Sequence, residues 1–411
     1  GTNSAGDLGA AASMTFQHRN VFRGSETLTM KVRGAYEAIK GLEEGYMGDD
    51  YKELGIETSL NFPEFKFPFL STEFKRKIRA TSEIGANFNL QVRPEFHRTL
   101  ASASWSYRWT DKRRSNHRFD LLSVNYVYVP WKSANFNAYL ENLTDRNSIL
   151  IKSYEDQLIV RTGYSFTYNS ANDRNRSTGN RNPYSIRINV EEAGNLLYLA
   201  SKTINSKPKI DKGFVIANIP FAQYIKGDFD FAQNWNIDNR NSFVFHIGMG
   251  VAYPYANSQM LPFEKRYFSG GPNSVRGWSV RSLGPGTYNP GENTKYGYLD
   301  QTGDIKLEAN VEYRFPIFGE LYGATFLDAG NVWLMRKDES RPGGELTLKN
   351  FAKSIALNTG LGVRYDLTFL VIRLDMGIAL HVPYETGKSG YYNIPKFKDG
   401  LGLHFAIGYP F

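Results

Sequence analysis

Residues 401–411 alternate without a break. Leu401, Leu403, Phe405, Ile407, Tyr409 and Phe411 take the odd positions, and Gly402, His404, Ala406, Gly408 and Pro410 take the even ones. Successive side chains of a strand point to opposite faces, so the segment predicts a strand with one wholly apolar face and one small or polar face. Its length suits the roughly 9–11 residues with which a tilted strand crosses a bilayer. The pattern recurs. Leu54, Ile56, Thr58, Leu60 and Phe62 oppose Glu53, Gly55, Glu57, Ser59 and Asn61. Ile305, Leu307, Ala309, Val311 and Tyr313 oppose Lys306, Glu308, Asn310, Glu312 and Arg314. In all, the alternation predicts fifteen strands, near 7–18, 25–37, 51–62, 80–92, 95–109, 117–129, 157–169, 183–191, 219–231, 242–253, 302–315, 320–334, 353–367, 369–381 and 400–411.

A large soluble β-protein also alternates, but its inward face is the apolar one. Here the second face stays polar and charged over strand after strand. In lipid an unpaired sheet edge is forbidden, so the expected fold is an all-β, closed, antiparallel transmembrane β-barrel, one domain over 1–411. Single-chain bacterial barrels use even strand numbers, so sixteen are expected. Asn3-Ser4-Ala5-Gly6-Asp7 reads as a hairpin turn, with the first strand largely preceding residue 1 and Gly1–Asn3 as its stub. Two connections carry helical spacing. They are 132–145 (Phe136, Tyr139, Leu140, Leu143) and 191–204 (Leu196, Leu197, Ala200, Ile204), both expected to cap a barrel mouth. The longest connection, 254–300, is rich in Gly and Pro.

Composition supports this picture. Aromatic residues make up 15% of the chain and Gly numbers 38, yet mean hydropathy is only −0.44. A barrel that shows lipid every second residue, with aromatic girdles, has this profile. No run of eighteen apolar residues exists, so a transmembrane helix is excluded. There is no cysteine, which removes disulfides and thiolate metal sites. The net charge of +8 fits solvated loops or contact with anionic headgroups. Its spread over many turns, without stacking platforms, argues against nucleic acid. The six histidines (His18, His97, His117, His246, His381, His404) show no metal-ligand spacing, so no metal or other cofactor is expected. No catalytic constellation can be placed, and the chain is expected not to be an enzyme. Gly1 follows no signal peptide, and the natural chain is expected to start earlier.

Within 254–300, Phe268-Ser269-Gly270-Gly271-Pro272-Asn273-Ser274-Val275-Arg276-Gly277-Trp278 has two readings. The glycines are punctuation of a solvated loop, or they let the loop fold into the lumen and approach the wall closely. In the second case Arg276 needs an inward carboxylate. Asp328 is the best candidate, because it lies mid-strand in Phe326-Leu327-Asp328-Ala329-Gly330, where it cannot face lipid; Asp375, Glu308 and Glu312 are alternatives. Such a pair gains on the order of 4 kcal/mol of Coulomb energy at an effective dielectric near 20, much of it offset by desolvation. It therefore fixes the loop's position more than it stabilises the fold.

Ser274-Val275-Arg276-Gly277-Trp278, with Gly270-Gly271 before it and Leu283-Gly284-Pro285-Gly286 after it, resembles the loop-six signature of the BamA/TamA superfamily of outer-membrane assembly barrels. Phe326-Leu327-Asp328 is similar to that family's Phe-x-Asp strand motif, and the aromatic last strand to its β-signal. The turn at Gln17–Glu26, Ser165–Asn169 and Glu191–Asn195 look closest to the TamL branch of Bacteroidetes. The resemblance implies a sixteen-stranded barrel in the bacterial outer membrane, loop six (about 254–301) inside it and Arg276 paired with Asp328. It also implies periplasmic POTRA domains, expected to be absent from residues 1–411, and a lateral seam between first and last strands. Gly402, Gly408 and Pro410 weaken the closing strand locally, in keeping with such a seam. The implied function is nucleotide-free insertion or translocation of unfolded outer-membrane client proteins, in contact with outer-membrane lipids and accessory subunits. The alternatives are a passive porin-like channel, or lipid transfer with a TamB-type periplasm-spanning partner.

Overall fold

A computed structural model of the chain describes residues 8–38, 50–94, 96–111, 115–142, 154–172, 182–204, 208, 213–289, 301–367, 369–394 and 396–411. The hairpin expected at Asn3–Asp7, the stub before it, Leu143 and most of the 172–181 turn lie outside them. The backbone forms a fifteen-stranded antiparallel sheet whose strands follow chain order. They are β1 (Leu8–Arg19), β2 (Thr27–Ala38), β3 (Tyr51–Phe62), β4 (Thr81–Val92), β5 (Phe96–Thr110), β6 (Asn116–Lys132), β7 (Gln157–Asn169), β8 (Tyr184–Ala193), β11 (Tyr224–Asn236), β12 (Ser242–Pro254), β13 (Ile305–Phe318), β14 (Leu321–Trp333), β15 (Ala356–Asp366), β16 (Val371–His381) and β17 (Leu401–Ile407). A separate hairpin pairs β9 (Val215–Ile216) with β10 (Ile219–Pro220). No helix among the described residues is long and apolar enough to cross a membrane.

The chain divides into two compact units, one of residues 1–166, 190–225 and 254–262, the other of 167–189, 226–253 and 263–411. In the first, the register lines up one apolar face across three strands: Ile56 faces Phe88, Leu60 faces Ile84, and Ile84 faces Trp105. Ile56, Ile84 and Phe88 are exposed. The opposite face carries the charges. Asn89 donates to Glu53 at 2.7 Å, and Arg161 bridges Asp120 and Glu191 at 3.2 and 3.3 Å. A sheet with its charges buried and its aliphatic side chains bare is inside-out for water and suited to lipid. The second unit repeats this. Leu327, Leu361 and Leu374 are exposed while Asp328, Arg364 and Asp375 are fully buried.

Most boundaries shift by one to three residues, and three segments differ more deeply from the sequence reading. The 219–231 segment is split, because Ala217 and Asn218 adopt positive φ (48° and 69°) and close the β9–β10 hairpin before β11 begins. The 353–367 segment opens with a helical turn at Phe351–Ser354. The 400–411 strand stops at Ile407. Gly408 takes φ +86°, which breaks the alternation and turns Tyr409 and Phe411 away from the apolar face. Helices Ala134–Asn142 and Asn195–Thr203 occupy the two connections with helical spacing. In the second, Leu196 and Ile204 are exposed and Ser201 is the buried residue. A helix missed from sequence, α1 (Thr72–Ile78), is capped by the Ser71 hydroxyl, which accepts from Phe74 N at 3.3 Å.

The two faces give a direct test. Ile56→Arg, mid-strand on the apolar face, should lower folding free energy in lipid vesicles by about 2–4 kcal/mol, and Asn87→Arg, on the polar face opposite Glu57, by less than about 1 kcal/mol, read by urea titration.

Candidate functional site

The segment around residue 276 makes its own scaffold before it meets any strand. Tyr267 and Gly303 exchange backbone hydrogen bonds at 2.9 and 2.8 Å, Gly271 N donates to the Trp278 carbonyl at 2.9 Å, and Trp278 N donates to the Val275 carbonyl at 3.2 Å. Gly270 and Gly271 sit at φ +97° and +111°, where a side chain would strain the backbone. Pro272 lies half-buried in the turn they open. Val275, Trp278 and Leu283 pack with Ala356, Ala379, Val382 and Ile394. This apolar cluster seats the loop, and the charged tip follows from it.

Arg276 is fully buried. Its Nε and Nη2 donate to the two oxygens of Asp328 at 2.9 and 2.8 Å, and its backbone N donates to Asp328 Oδ2 at 3.2 Å. The Nη1 donates to Glu312 at 2.5 Å and lies 3.7 Å from Asp375. The guanidinium stacks on Phe326, 3.5 Å from the ring centroid. Asp328 is completed by amide donors from its cross-strand neighbours, Asn310 at 2.9 Å and Asn358 at 3.1 Å. Glu312 also accepts from Arg314 at 2.7 Å and Arg364 at 3.1 Å. Asp375 accepts from Arg364 at 2.5 Å and lies 3.5 Å from Arg373. Guanidinium and carboxylate groups thus alternate through the cluster. The geometry divides Arg276 between Asp328 (a bidentate fork) and Glu312, with Asp375 at longer range. Glu308 lies outside this cluster. It accepts from Ser269 at 2.7 Å and from Ser274, and pairs with Lys306 at 3.0 Å, so it fastens the loop's shoulder.

A row of glycines explains how a loop backbone reaches the strands. Register places Phe326, Gly360, Gly377 and Gly402 on one rung. A Cβ on Gly402 would stand 2.6 Å from the Arg276 carbonyl oxygen and one on Gly277 2.8 Å from Asn358, and one on Gly360 would clash with the Phe326 ring. Gly377 faces the same carbonyl. The rung is a bare trough into which residues 276–277 settle. His404 Nε2 donates to the Arg276 carbonyl at 2.9 Å from beside it. Gly402 therefore serves the loop's approach as well as interrupting the strand. Arg364, Gly360, Gly377 and His404 were not singled out from sequence. Each is defined by cross-strand register, and alternation alone carries no register.

The closing-strand residues divide. Leu401, Leu403, Phe405 and Ile407 stay on the exposed apolar face. Phe411 instead stacks on His246 (4.3 Å between centroids, 13° between planes), and the Tyr409 ring lies 4.2 Å from the Arg314 guanidinium. His246 Nδ1 faces Asn310 Oδ1 at 2.8 Å, so Asn310 links this aromatic contact to Asp328. Asp328, Glu312 and Asp375 each accept a hydrogen bond from a guanidinium.

The Omp85 superfamily domain model matches residues 45–411. Over 109 residues the chain is 33% identical to the outer membrane protein assembly factor BamA of Neisseria meningitidis serogroup B, a match spanning 25% of this chain and 13% of that protein. It is 22% identical over 369 residues to the human sorting and assembly machinery component 50 homolog, covering 87% of this chain and 70% of the relative. Among solved structures, BamA from Haemophilus ducreyi lacking POTRA domains 1–3 superposes with a TM-score of 0.55 at 14% identity, over 98% of this chain and 68% of that one. CdiB from Escherichia coli gives 0.53 at 10% identity, over 99% and 60%.

Removing one partner of a buried, hydrogen-bonded charge pair costs about 3–5 kcal/mol. Arg276→Ala and Asp328→Ala should each cost the loop this much, read as lost hydrogen-exchange protection at Gly271 and Trp278 N–H; Arg276→Lys should recover only part, because an ammonium cannot fork. The charge swap Arg276→Asp with Asp328→Arg should stay unprotected, because an acid at 276 would face Glu312. Gly402→Val should mimic Arg276→Ala with every charge intact.

Proposed function

The chain belongs to the Omp85 superfamily and is an integral outer-membrane β-barrel protein, and from that premise we propose that it inserts outer-membrane proteins into the bilayer or translocates them across it. The observation that carries the proposal is the coupling of the buried-arginine loop to the last strands of the sheet. The loop's carbonyl is received by Gly377 and Gly402, a cross-strand pair of β16 and β17, and is bonded by His404. Loop position and β17 geometry are thereby one mechanical unit. Among the described residues β17 is the last strand of the sheet order, at seven residues against eleven in β16, and it ends at a left-handed glycine. A short edge strand carries backbone N–H and C=O groups that an incoming strand can pair with.

In this reading the barrel's first strand, expected to lie largely before residue 1, and β17 form a lateral seam. An unfolded client strand adds to the β17 edge, its backbone groups are satisfied there, and its alternate apolar side chains pass into lipid. Burial of those side chains and closure of the client's own ladder supply the free energy, so neither nucleotide nor catalysis is required. The partners are unfolded outer-membrane proteins, bilayer lipids, and accessory or TamB-like periplasmic subunits that deliver clients.

The test is a disulfide lock. The chain has no cysteine, so a pair introduced in the barrel's first strand, ahead of β1, and in β17 is unambiguous. In a vesicle assay of client insertion, the oxidised protein should lose activity and recover it on reduction; full activity while locked would contradict the seam.

A further inference from the structure

Between β3 and β4 the chain runs Phe62-Pro63-Glu64-Phe65-Lys66-Phe67-Pro68-Phe69, then α1, then Arg79. Nothing in this segment belongs to the arginine-loop site. Its position is fixed from one side. Ser82 Oγ donates to the Glu64 carbonyl and accepts from Lys66 N, both at 2.8 Å, and the Tyr107 hydroxyl donates to the Lys66 carbonyl at 3.2 Å. The Phe65 and Phe67 rings stand edge-on to Tyr107 at 4.8 and 5.9 Å. Ser82 and Tyr107 are register partners, two residues along from the pair Ile84 and Trp105. They therefore lie on the apolar face, the one that bears Ile56 and Phe88. The segment folds back along the lipid-facing surface at the end of β3 and β4.

Among the described residues, much of what it presents there stays uncovered. Phe69 continues the row, edge-on to Phe67 at 5.9 Å, yet it is 88% exposed, and Phe74 is 43% exposed. Helix α1 buries no residue at all. Arg76, Lys77 and Arg79 are exposed beside these rings, with Glu73 the single acid of the helix. Bare phenyl rings next to cations, at the end of lipid-facing strands, match the chemistry of the bilayer interface. Rings are stable among upper acyl chains and cations among phosphates, each cation contributing roughly 1 kcal/mol near an anionic surface.

We propose that residues 62–79 form an interfacial anchor, with Phe69 and Phe74 inserted among phospholipid acyl chains and Arg76, Lys77 and Arg79 held at phosphate headgroups. The proposal is independent of the assembly reading, since it needs only that the strands face lipid.

Phe69→Cys provides a single labelling site. The full-length protein carrying an environment-sensitive fluorophore there is reconstituted in phosphatidylcholine vesicles, with and without phosphatidylglycerol. Ile56→Cys serves as the lipid-facing reference and Ser25→Cys, in the exposed β1–β2 turn, as the aqueous one. Circular dichroism confirms that each variant is folded. The label at 69 should be quenched by doxyl-labelled acyl chains to within about twofold of the label at 56 and be shielded from iodide. Quenching by iodide as at 25, with none by doxyl lipid, would overturn the proposal and leave the rings to a protein partner. Arg76→Gln with Lys77→Gln should lower doxyl quenching at 69 at least about twofold when phosphatidylglycerol is present and leave it unchanged in phosphatidylcholine alone; no change in either lipid would overturn the headgroup assignment.

Discussion

A guanidinium withdrawn completely from water must be neutralised and hydrogen-bonded on the spot, and Arg276 imposes that demand on five strands at once. Asp328 comes from β14, Glu312 and Asn310 from β13, Asn358 from β15, Asp375 from β16, and the carbonyl of the same residue is held by His404 of β17. Desolvation of so many charges consumes much of their mutual attraction. The network's value is specificity: it accepts one loop position, and misplacement of the loop leaves a buried charge uncompensated. The apolar seat of Val275, Trp278 and Leu283 contributes burial, while the charges determine where that burial occurs.

The glycine rung is the steric counterpart of this electrostatic lock. Gly360, Gly377 and Gly402 weaken their strands, since each forgoes side-chain packing and adds backbone entropy to the unfolded chain. They are placed where Phe326 and the backbone of 276–277 need the space. The cost falls on β15 to β17, the end of the sheet where a short, breakable last strand suits the proposed exchange with client strands. Residues 408–411 add a further contact. Beyond Gly408 they turn to the polar face and stack Phe411 on His246, which is joined through Asn310 to Asp328. The tail, the loop and β17 thus share one network.

Much of the fold was legible because alternation is a property of single strands. Lipid on one face and charge on the other leave a trace at every second residue, and the strand segments recover nearly all the strands of the sheet. The failures have a common cause. Gly408 and the Ala217-Asn218 turn depend on φ values that an apolar/polar pattern does not encode. The 62–79 segment leaves no pattern to read, because the Ser71 cap and Arg79 (φ +55°) enclose a helix of only seven residues, too short to show helical spacing. At the site, one arginine in a glycine-rich loop and one aspartate in mid-strand could be read as a pair. The sharing of Arg276 with Glu312, the diversion of Glu308 to Ser269 and Ser274, and the glycine trough could not, because each requires knowing which residues stand opposite one another.

The most direct measurement of the central claim is a pair of double-mutant cycles on folding free energy in lipid vesicles, Arg276 with Asp328 and Arg276 with Asp375. Direct contact within a network gives coupling of roughly 0.5–3 kcal/mol. The bidentate geometry places the Asp328 cycle near the top of that range, at about 2 kcal/mol or more, and the 3.7 Å approach places the Asp375 cycle near its bottom. Equal coupling in the two cycles, or none with Asp328, would contradict the account that this fork positions the loop.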